Sequence, residues 1–439
     1  MPGGADLVCY WFASAWDRMV NGQLKRAGLV STNSIRAGAN REVLKPIVEG
    51  GQIFEAWSDE EWTVEGAAVR VSLICFHSMV AEGALLDGQI VGKIPSDLKL
   101  GGSDFDFTSA STLTTNSGHA FIGDQKSGPF DIDGETARAL LAARGNPHGK
   151  PNSDVVFPWL NGMDVTRRPS DRWIIDFGPH MDLASAQLYE KPFEIVERDV
   201  KPTREGLRRA NHRERWWIHG EARPGMRKAI GGLDRYLITP RVSKHRFFIW
   251  GRQPLLADSR LVVIAFEDDP RFGVLSSEFH ELWSLATCSW HGVGNDPTYN
   301  AQSCFETFPF PEGLTPDIPA AAYAADPRAP AIAAAAERLN TLRENWLNPP
   351  DLVERVPEVV PGYPDRILPK DEAAAQELKK RTLTNLYNTR PAWLDHAHRA
   401  LDEAVADAYG WGEDYRAGTL TDDEILARLF RLNQERAKG

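Results

Sequence analysis

The spacing of apolar residues changes regime along the chain, and that change limits its architecture more than any other feature. Leu7, Val8, Trp11, Phe12, Ala15, Trp16 and Met19 recur at intervals of three and four. That spacing predicts a helix within residues 5–27, closed by Gly28. Leu29–Ile35 reads as a short strand, and a second helix is expected from Asn40 to Val48 before the Gly50-Gly51 break. Ile53–Trp57 and Val69–Phe76 are rich in β-branched and aromatic residues and read as strands. Strand, helix, strand and a closing pair describe the tail half of an open α/β sheet. Residues 80–126, rich in Gly, Ser, Thr and Asp, read as a mostly β connector.

From about 127 to 318 helical periodicity fades. Short runs such as Trp173–Phe177, Tyr236–Ile238, Phe247–Trp250 and Leu261–Phe266 stand between Pro147, Pro151, Pro158, Pro169 and Pro240. One helix is expected near Ser277–Ala286. From 319 onward the three-four spacing returns at Ile332, Ala336, Leu339, Leu342 and Trp346, then at Ala397, Leu401 and Val405. Thr421-Asp422-Asp423-Glu424 is a capping-box sequence ahead of Ile425, Leu426, Leu429 and Phe430. The expected fold class is an α/β partial Rossmann-like sheet over residues 1–126, a mostly β region over 127–318, and an α-helical region over 319–439. No solenoid-type repeat is visible.

The 439 residues suit several domains, and 42% hydrophobic with 25% charged residues is a globular composition. No apolar run approaches the ~20 residues that cross a bilayer, so no membrane association is expected. Cys9, Cys75, Cys288 and Cys304 form no Cys-x-x-Cys pair, which suits free buried thiols in a reducing, cytoplasmic setting.

Fifty Lys+Arg against 61 Asp+Glu leave a formal charge of −11, which excludes an overall basic nucleic-acid binder. Locally the sign reverses. Residues 201–252 hold fourteen basic residues against four acidic ones, with Trp216, Trp217, His219, His245, Phe247 and Trp250 interleaved. Arginine can grip phosphate or a guanine edge bidentately, and aromatics can stack on exposed bases. Arg213, Arg215, Arg241, Lys244, His245 and Arg246 are therefore the expected DNA contacts. Trp216, Trp217 and Trp250 are either stacking groups or core. Asn161 and Asp164, in a Gly-containing turn, are expected to shape the chain.

Ala5–Phe12 and Gly28–Arg36 resemble the segment after the catalytic motif of class I adenine-specific DNA methyltransferases. Ile53–Asp59 and Gly66–Ser72 are similar to the MmeI-like branch in particular. Phe157–Val165 and Pro240–Arg246 resemble that branch's target-recognition domain, Phe305–Pro311 the exit from it, and Leu383–Asn388 with Ala408–Trp411 its helical C-terminal domain. The resemblance implies methyl transfer from S-adenosylmethionine to the amine of a flipped-out adenine in duplex DNA, within a restriction-modification or phage-defence system. It divides the chain into the back half of a methyltransferase domain (1–126), a DNA-reading domain (127–318) and the helical domain (319–439).

The family's glycine-rich cofactor turn and its Asn-Pro-Pro-aromatic motif would both precede Ala5. No catalytic residue is therefore assigned, and cofactor binding by this chain alone is not expected. Asn33 and Ser34, at the strand end, either line a cofactor or base pocket or cap a turn. Asn348-Pro349-Pro350-Asp351 and Asp296-Pro297-Thr298-Tyr299 read as turns, as does Gly292-Val293-Gly294. Pro364-Asp365 with Glu377-Leu378-Lys379 matches the letters of a metal-dependent nuclease, but Glu377 falls in an expected helix. Cys288, His291 and Cys304 lack paired zinc-ligand spacing. Two readings stay open: a truncated or split methyltransferase that needs a separate N-terminal catalytic half, or a DNA-binding specificity subunit without catalysis.

Overall fold

The computed structural model describes residues 5–36, 38–64, 67–79, 83–98, 107–291 and 296–438. Gly292-Val293-Gly294 lies outside them. The chain forms two compact units. The first takes residues 1–112, 282–309 and 420–439, and the second 113–281 and 310–419. The units thus interleave along the sequence, whereas the sequence reading divided it into three consecutive stretches.

The first unit opens with α1 (Cys9–Val20), β1 (Arg26–Thr32), a 3-10 turn (Asn33–Arg36), α2 (Gly38–Arg41) and α3 (Lys45–Gly50). The strands β2 (Gln52–Val64), β3 (Ala67–His77), β4 (Ala84–Leu86) and β5 (Gln89–Val91) follow. Sheet order is β1-β3-β2-β4-β5. β3 runs antiparallel to both β1 and β2, so β1 and β2 point the same way, with the helical connection between them. One face of α1 seals this sheet. Cys9, Phe12 and Met19 are buried with Ile53, Ile74 and Phe76, and the Phe12 and Phe76 rings stack at 5.9 Å.

Gly28 does not close the helix as expected. The stop is at Asn21-Gly22, where Gly22 has φ +72°, a left-handed conformation that suits glycine. Gly28 instead lies within β1 opposite Cys75, and an added Cβ would sit 3.2 Å from the Cys75 sulfur.

The second unit begins with β6 (Ala120–Ile122), β7 (Asp131–Asp133), α4 (Gly134–Ala142), β8 (Val156–Leu160), α5 (Gly162–Thr166) and β9 (Arg172–Ile175). A helical run comes next: α6 (Leu183–Gln187), α7 (Glu190–Asp199), α8 (Lys201–Arg204), α9 (Ala210–Glu214) and α10 (Pro224–Ile230). Then come β10 (Arg235–Pro240), β11 (Ile249–Arg252), β12 (Leu256–Ala257), β13 (Leu261–Ile264) and α11 (Asp269–Ser276). These strands build two four-stranded sheets, β11-β10-β13-β6 and β12-β8-β9-β7.

A mostly β middle region was expected, and this is a correction: it holds helices as well as strands, with five consecutive helices between β9 and β10. Most of these helices are too brief to repeat a 3.6-residue period, so apolar spacing could not announce them.

α12 (Glu278–Thr287) matches the expected helix. β14 (Ser289–His291) pairs with β15 (Asp296–Thr298), so Asp296-Pro297-Thr298 is a strand and not a turn. The tail holds α13 (Arg328–Leu347), the hairpin β16 (Val353–Val356) and β17 (Arg366–Pro369), α14 (Glu372–Leu378), α15 (Leu383–Thr389), α16 (Ala392–Tyr409), α17 (Gly412–Arg416) and α18 (Asp422–Arg436).

The last helix returns to the first unit. Its Asn433 amide donates to the Ser111 and Thr307 carbonyls at 2.8 and 2.7 Å, and Phe430 meets Phe107 edge-on at 5.4 Å. Thr421 caps α18 by accepting from the Glu424 amide at 3.3 Å.

Candidate nucleic-acid interface

The basic stretch divides into two populations once side-chain partners are known. In its second half three of the eight cations are met by carboxylates. Arg223 pairs with Glu221 at 2.7 Å and Arg235 with Asp269 at 2.8 Å, and Arg227 meets both Asp124 and Asp176. In α9 and the turn before it the pattern is the reverse. Arg208, Arg209 and Arg213 are exposed, and Arg215 is half-buried. Among the described residues none of the four pairs with a carboxylate. Arg213 donates to the Leu207 and Arg208 carbonyls, and Arg215 donates to the Pro179 carbonyl at 2.6 Å. Arg204 behind them is buried, donates to the backbone carbonyls of Ser127, Ile218 and Lys126, and lies over the Phe130 ring at 5.1 Å. Five arginines within twelve residues thus meet no carboxylate among the described residues, on a chain whose net charge is negative. Such a concentration attracts an anionic polymer and orients its approach.

A buried tetrad supports this segment. His219 is buried with its Nδ1 2.8 Å from the Asp124 carboxylate and its Nε2 3.0 Å from the Ile175 carbonyl. Both ring nitrogens therefore face acceptors, an arrangement that favours the doubly protonated imidazole. Burial pulls its pKa down, but the charges of Asp124 and Asp176 and the Asp124 hydrogen bond outweigh that, and the net shift is upward. Asp176 shifts the other way: burial raises it, while His219 and Arg227 draw it below the usual carboxylate range. Two cations and two carboxylates balance inside the unit. Gly123 sets Asp124 in place, since a Cβ there would lie 2.2 Å from the Asp258 carbonyl oxygen.

The expected DNA contacts fare unequally. Arg213, Arg215 and Lys244 keep surface access. Lys244 and His245 both reach the Asn388 side chain, at 2.7 and 2.9 Å. Arg241, half-buried, donates to the Ser259 carbonyl at 3.2 Å. Arg246 is a correction: it is 7% exposed and donates to Thr239 Oγ1 and the Pro240 carbonyl, so it braces β10 instead of facing solvent. Trp217 takes the core alternative, 8% exposed with its indole N–H on the Met181 carbonyl at 2.9 Å. Trp216 is half-buried, packed on Phe193 and covered by the Lys201 ammonium at 5.1 Å. Trp250 lies beneath the Arg235 guanidinium at 3.8 Å. Those rings are already stacked, on protein.

Asn161 and Asp164 form a reciprocal capping box on α5. Sequence reasoning did not single out Arg204, Arg208 or Arg209 as contacts. Their shared signal was basic residues with only Glu205 and Glu214 nearby in sequence.

In the first unit, Asn33 and Ser34 follow the end of β1, where a pocket was one expectation. Asn33 donates to Asp59 at 2.8 Å. Ser34 donates to Asp6 at 3.2 Å and shares a hydrogen bond with Thr32 at 2.7 Å. Asn40 donates to Asp6 at 2.7 Å. The cluster satisfies itself. Glu377 is paired with Lys380 and Arg381 along its own segment. No group of three His, Cys, Asp or Glu among the described residues is arranged to hold a metal ion. Three of the four free cysteines are buried and Cys75 is half-buried. No described helix is long and apolar enough to cross a membrane.

No protein-family model matches the chain, and no curated protein matches it. Among solved structures, it is similar to the type IIL restriction-modification enzyme MmeI, determined in complex with DNA, at TM-score 0.71 and 18% identity. The match covers 100% of this chain and 54% of that one. The chain therefore has the fold of part of a restriction-modification enzyme and spans about half its length. The type IIG restriction endonuclease BpuSI superposes at TM-score 0.26 and 8% identity, over 88% of this chain and 48% of that one, too loosely to bear on the reading.

Proposed function

We propose that this chain is the DNA-reading part of an S-adenosylmethionine-dependent, adenine-specific DNA methyltransferase in a restriction-modification or phage-defence system, working with a separate catalytic half. The observation that carries the reading is the segment Arg204–Arg215, whose five arginines pair with no carboxylate among the described residues, on a fold shared with part of an enzyme solved on DNA. Exposed arginines would take the phosphates and fix register on the duplex. The buried tetrad would hold their segment rigid.

The residues present do not suit a cofactor cradle at the end of β1. The polar groups of Asn33, Ser34, Asp6 and Asn40 are consumed by one another and by Asp59, so no step is derived through S-adenosylmethionine here.

The need for a second half draws support from the first unit. β1 is an edge strand, hydrogen-bonded in the sheet to β3 alone among the described strands. Leu7, just before α1, and Tyr10 and Trp11 within it are 78%, 56% and 68% exposed. An open edge and exposed apolar side chains are what a continuing α/β sheet would cover.

Two titrations test the reading. Fluorescence anisotropy with duplex DNA across a salt series should show affinity falling steeply with salt, and calorimetry with S-adenosylmethionine should stay silent. Salt-insensitive or absent DNA binding would remove the reader role. Cofactor binding by the chain alone would move catalysis into it.

A further inference from the structure

A pocket of about 220 Å³ opens in the second unit beside the buried tetrad. Its polar walls are Arg204, Arg215, His180, Asn211, His212 and His219, and no carboxylate is among the residues that line it. At ~30 Å³ per water the space would hold roughly seven waters, ample for a tetrahedral oxyanion. A second hollow, of about 300 Å³, is lined by Asp234, Arg235, Arg252 and Glu267, and so carries its own counter-charges. The contrast is one of sign. The first pocket is lined by cationic and neutral side chains, with no carboxylate.

Arg204 lies in the pocket wall 1% exposed, and carbonyl dipoles and the face of the Phe130 ring at 5.1 Å meet its charge, with no carboxylate among the described residues. Arg215 spends one nitrogen on the Pro179 carbonyl, and among the described residues the remainder of its guanidinium fork has no partner. A guanidinium fork matches two oxygens of a phosphate. The local field is positive: burial first, then the charges of Arg204 and Arg209, push the His212 pKa down.

We propose that this pocket seats a single phosphate group, gripped by Arg215 with Asn211, His180 and His212 at the rim, over the buried charge of Arg204. The assignment deepens the DNA-reading proposal when the phosphate is a backbone phosphodiester. The same chemistry would accept free phosphate, and the test separates the two sources.

Thermal melting in inorganic phosphate, against chloride of equal ionic strength, is compared for wild type, Arg215→Gln and His180→Ala. Salt-dependent duplex binding is measured on the same three proteins, with circular dichroism to confirm folding. Arg215→Lys, which keeps charge without the fork, serves as a further variant and should recover only part of either signal. A phosphodiester site predicts that phosphate raises the wild-type melting temperature and Arg215→Gln abolishes the rise. It also predicts a log–log salt slope shallower by about 1 in that variant. A reduced slope without a free-phosphate effect still supports the site, as one that needs its phosphate delivered on DNA. Loss of the phosphate effect with an unchanged slope supports a free-phosphate site and removes the DNA source. Stabilisation by phosphate in a wild type that ignores DNA sinks the reader proposal and leaves the pocket standing. Identical melting in both salts with an unchanged slope in both variants overturns the assignment.

Discussion

His219 donates from Nδ1 to the Asp124 carboxylate at 2.8 Å, with both side chains fully removed from solvent. The pair is completed by Arg227, which bridges Asp124 and Asp176. A closed set of this kind adds little net stability when intact, but removing one member leaves an unmatched buried charge.

Substituting Asp124→Asn should therefore destabilise the protein by about 3 kcal/mol or more, the usual cost of breaking a buried pair. Urea denaturation would register the loss. An unchanged midpoint would show the tetrad to be energetically idle.

The same tetrad sets two limits on pH. His219 has a raised folded pKa, so its contribution is complete below the unfolded value near 6.5 and fades as pH rises through the higher folded value. Asp176 has a lowered one, so its contribution is complete above roughly 3.9 and is lost as pH falls through the lower folded value. A melting profile across pH should decline on both sides, and His219→Gln should flatten the alkaline limb. A variant that keeps the wild-type alkaline decline would assign that limb to other groups.

Arginines in the two halves of the basic stretch should respond differently. Replacing Arg208, Arg209 and Arg213 with Ala should make the salt dependence of DNA binding shallower by roughly 0.9 for each one that faces a phosphate. Their stability should change little. Arg246→Ala should instead cost about 2 kcal/mol, because its partners Thr239 and Pro240 are buried with it. Paired anisotropy and denaturation curves separate the two behaviours, and a reversed pattern would refute the partition.

The uncovered face of α1 should make the isolated chain associate. Leu7→Glu with Trp11→Glu should change folding stability by no more than about 0.5 kcal/mol, since both are exposed. Light scattering after size exclusion should then show less self-association. Variants that associate as strongly as wild type would place the contact elsewhere.

Gly123 admits almost nothing larger. Gly123→Ala would set its methyl against the backbone carbonyl oxygens of Ala257 and Asp258, which cannot rotate away. A penalty of about 3 kcal/mol is expected, at the upper end for overpacking. A thermal melt indistinguishable from wild type would mean that the backbone yields there.

Much of the fold was legible where local rules agree over many residues. The α1 region, the β2–β3 pair, α13, α16 and the Thr421 cap all follow from period, propensity or capping chemistry read along the chain. The short helices of the middle region were not, because a single turn leaves no period to read. Gly28 misled for a related reason. Glycine ends helices through its freedom at positive φ, but it serves equally where a neighbouring side chain needs room, and Cys75 becomes a neighbour only when β1 pairs with β3.

By itself the sequence determined that residues 201–252 concentrate positive charge on an acidic chain, since charge is a property of composition. Only the tertiary structure decided which of those charges are available. Asp124, Asp176 and Asp269 stand far away in sequence, and folding brings them onto Arg227 and Arg235, while among the described residues none reaches Arg208, Arg209, Arg213 or Arg215. Whether a cation is spent or free depends on what lies within about 4 Å of it, and that distance is set by long-range packing.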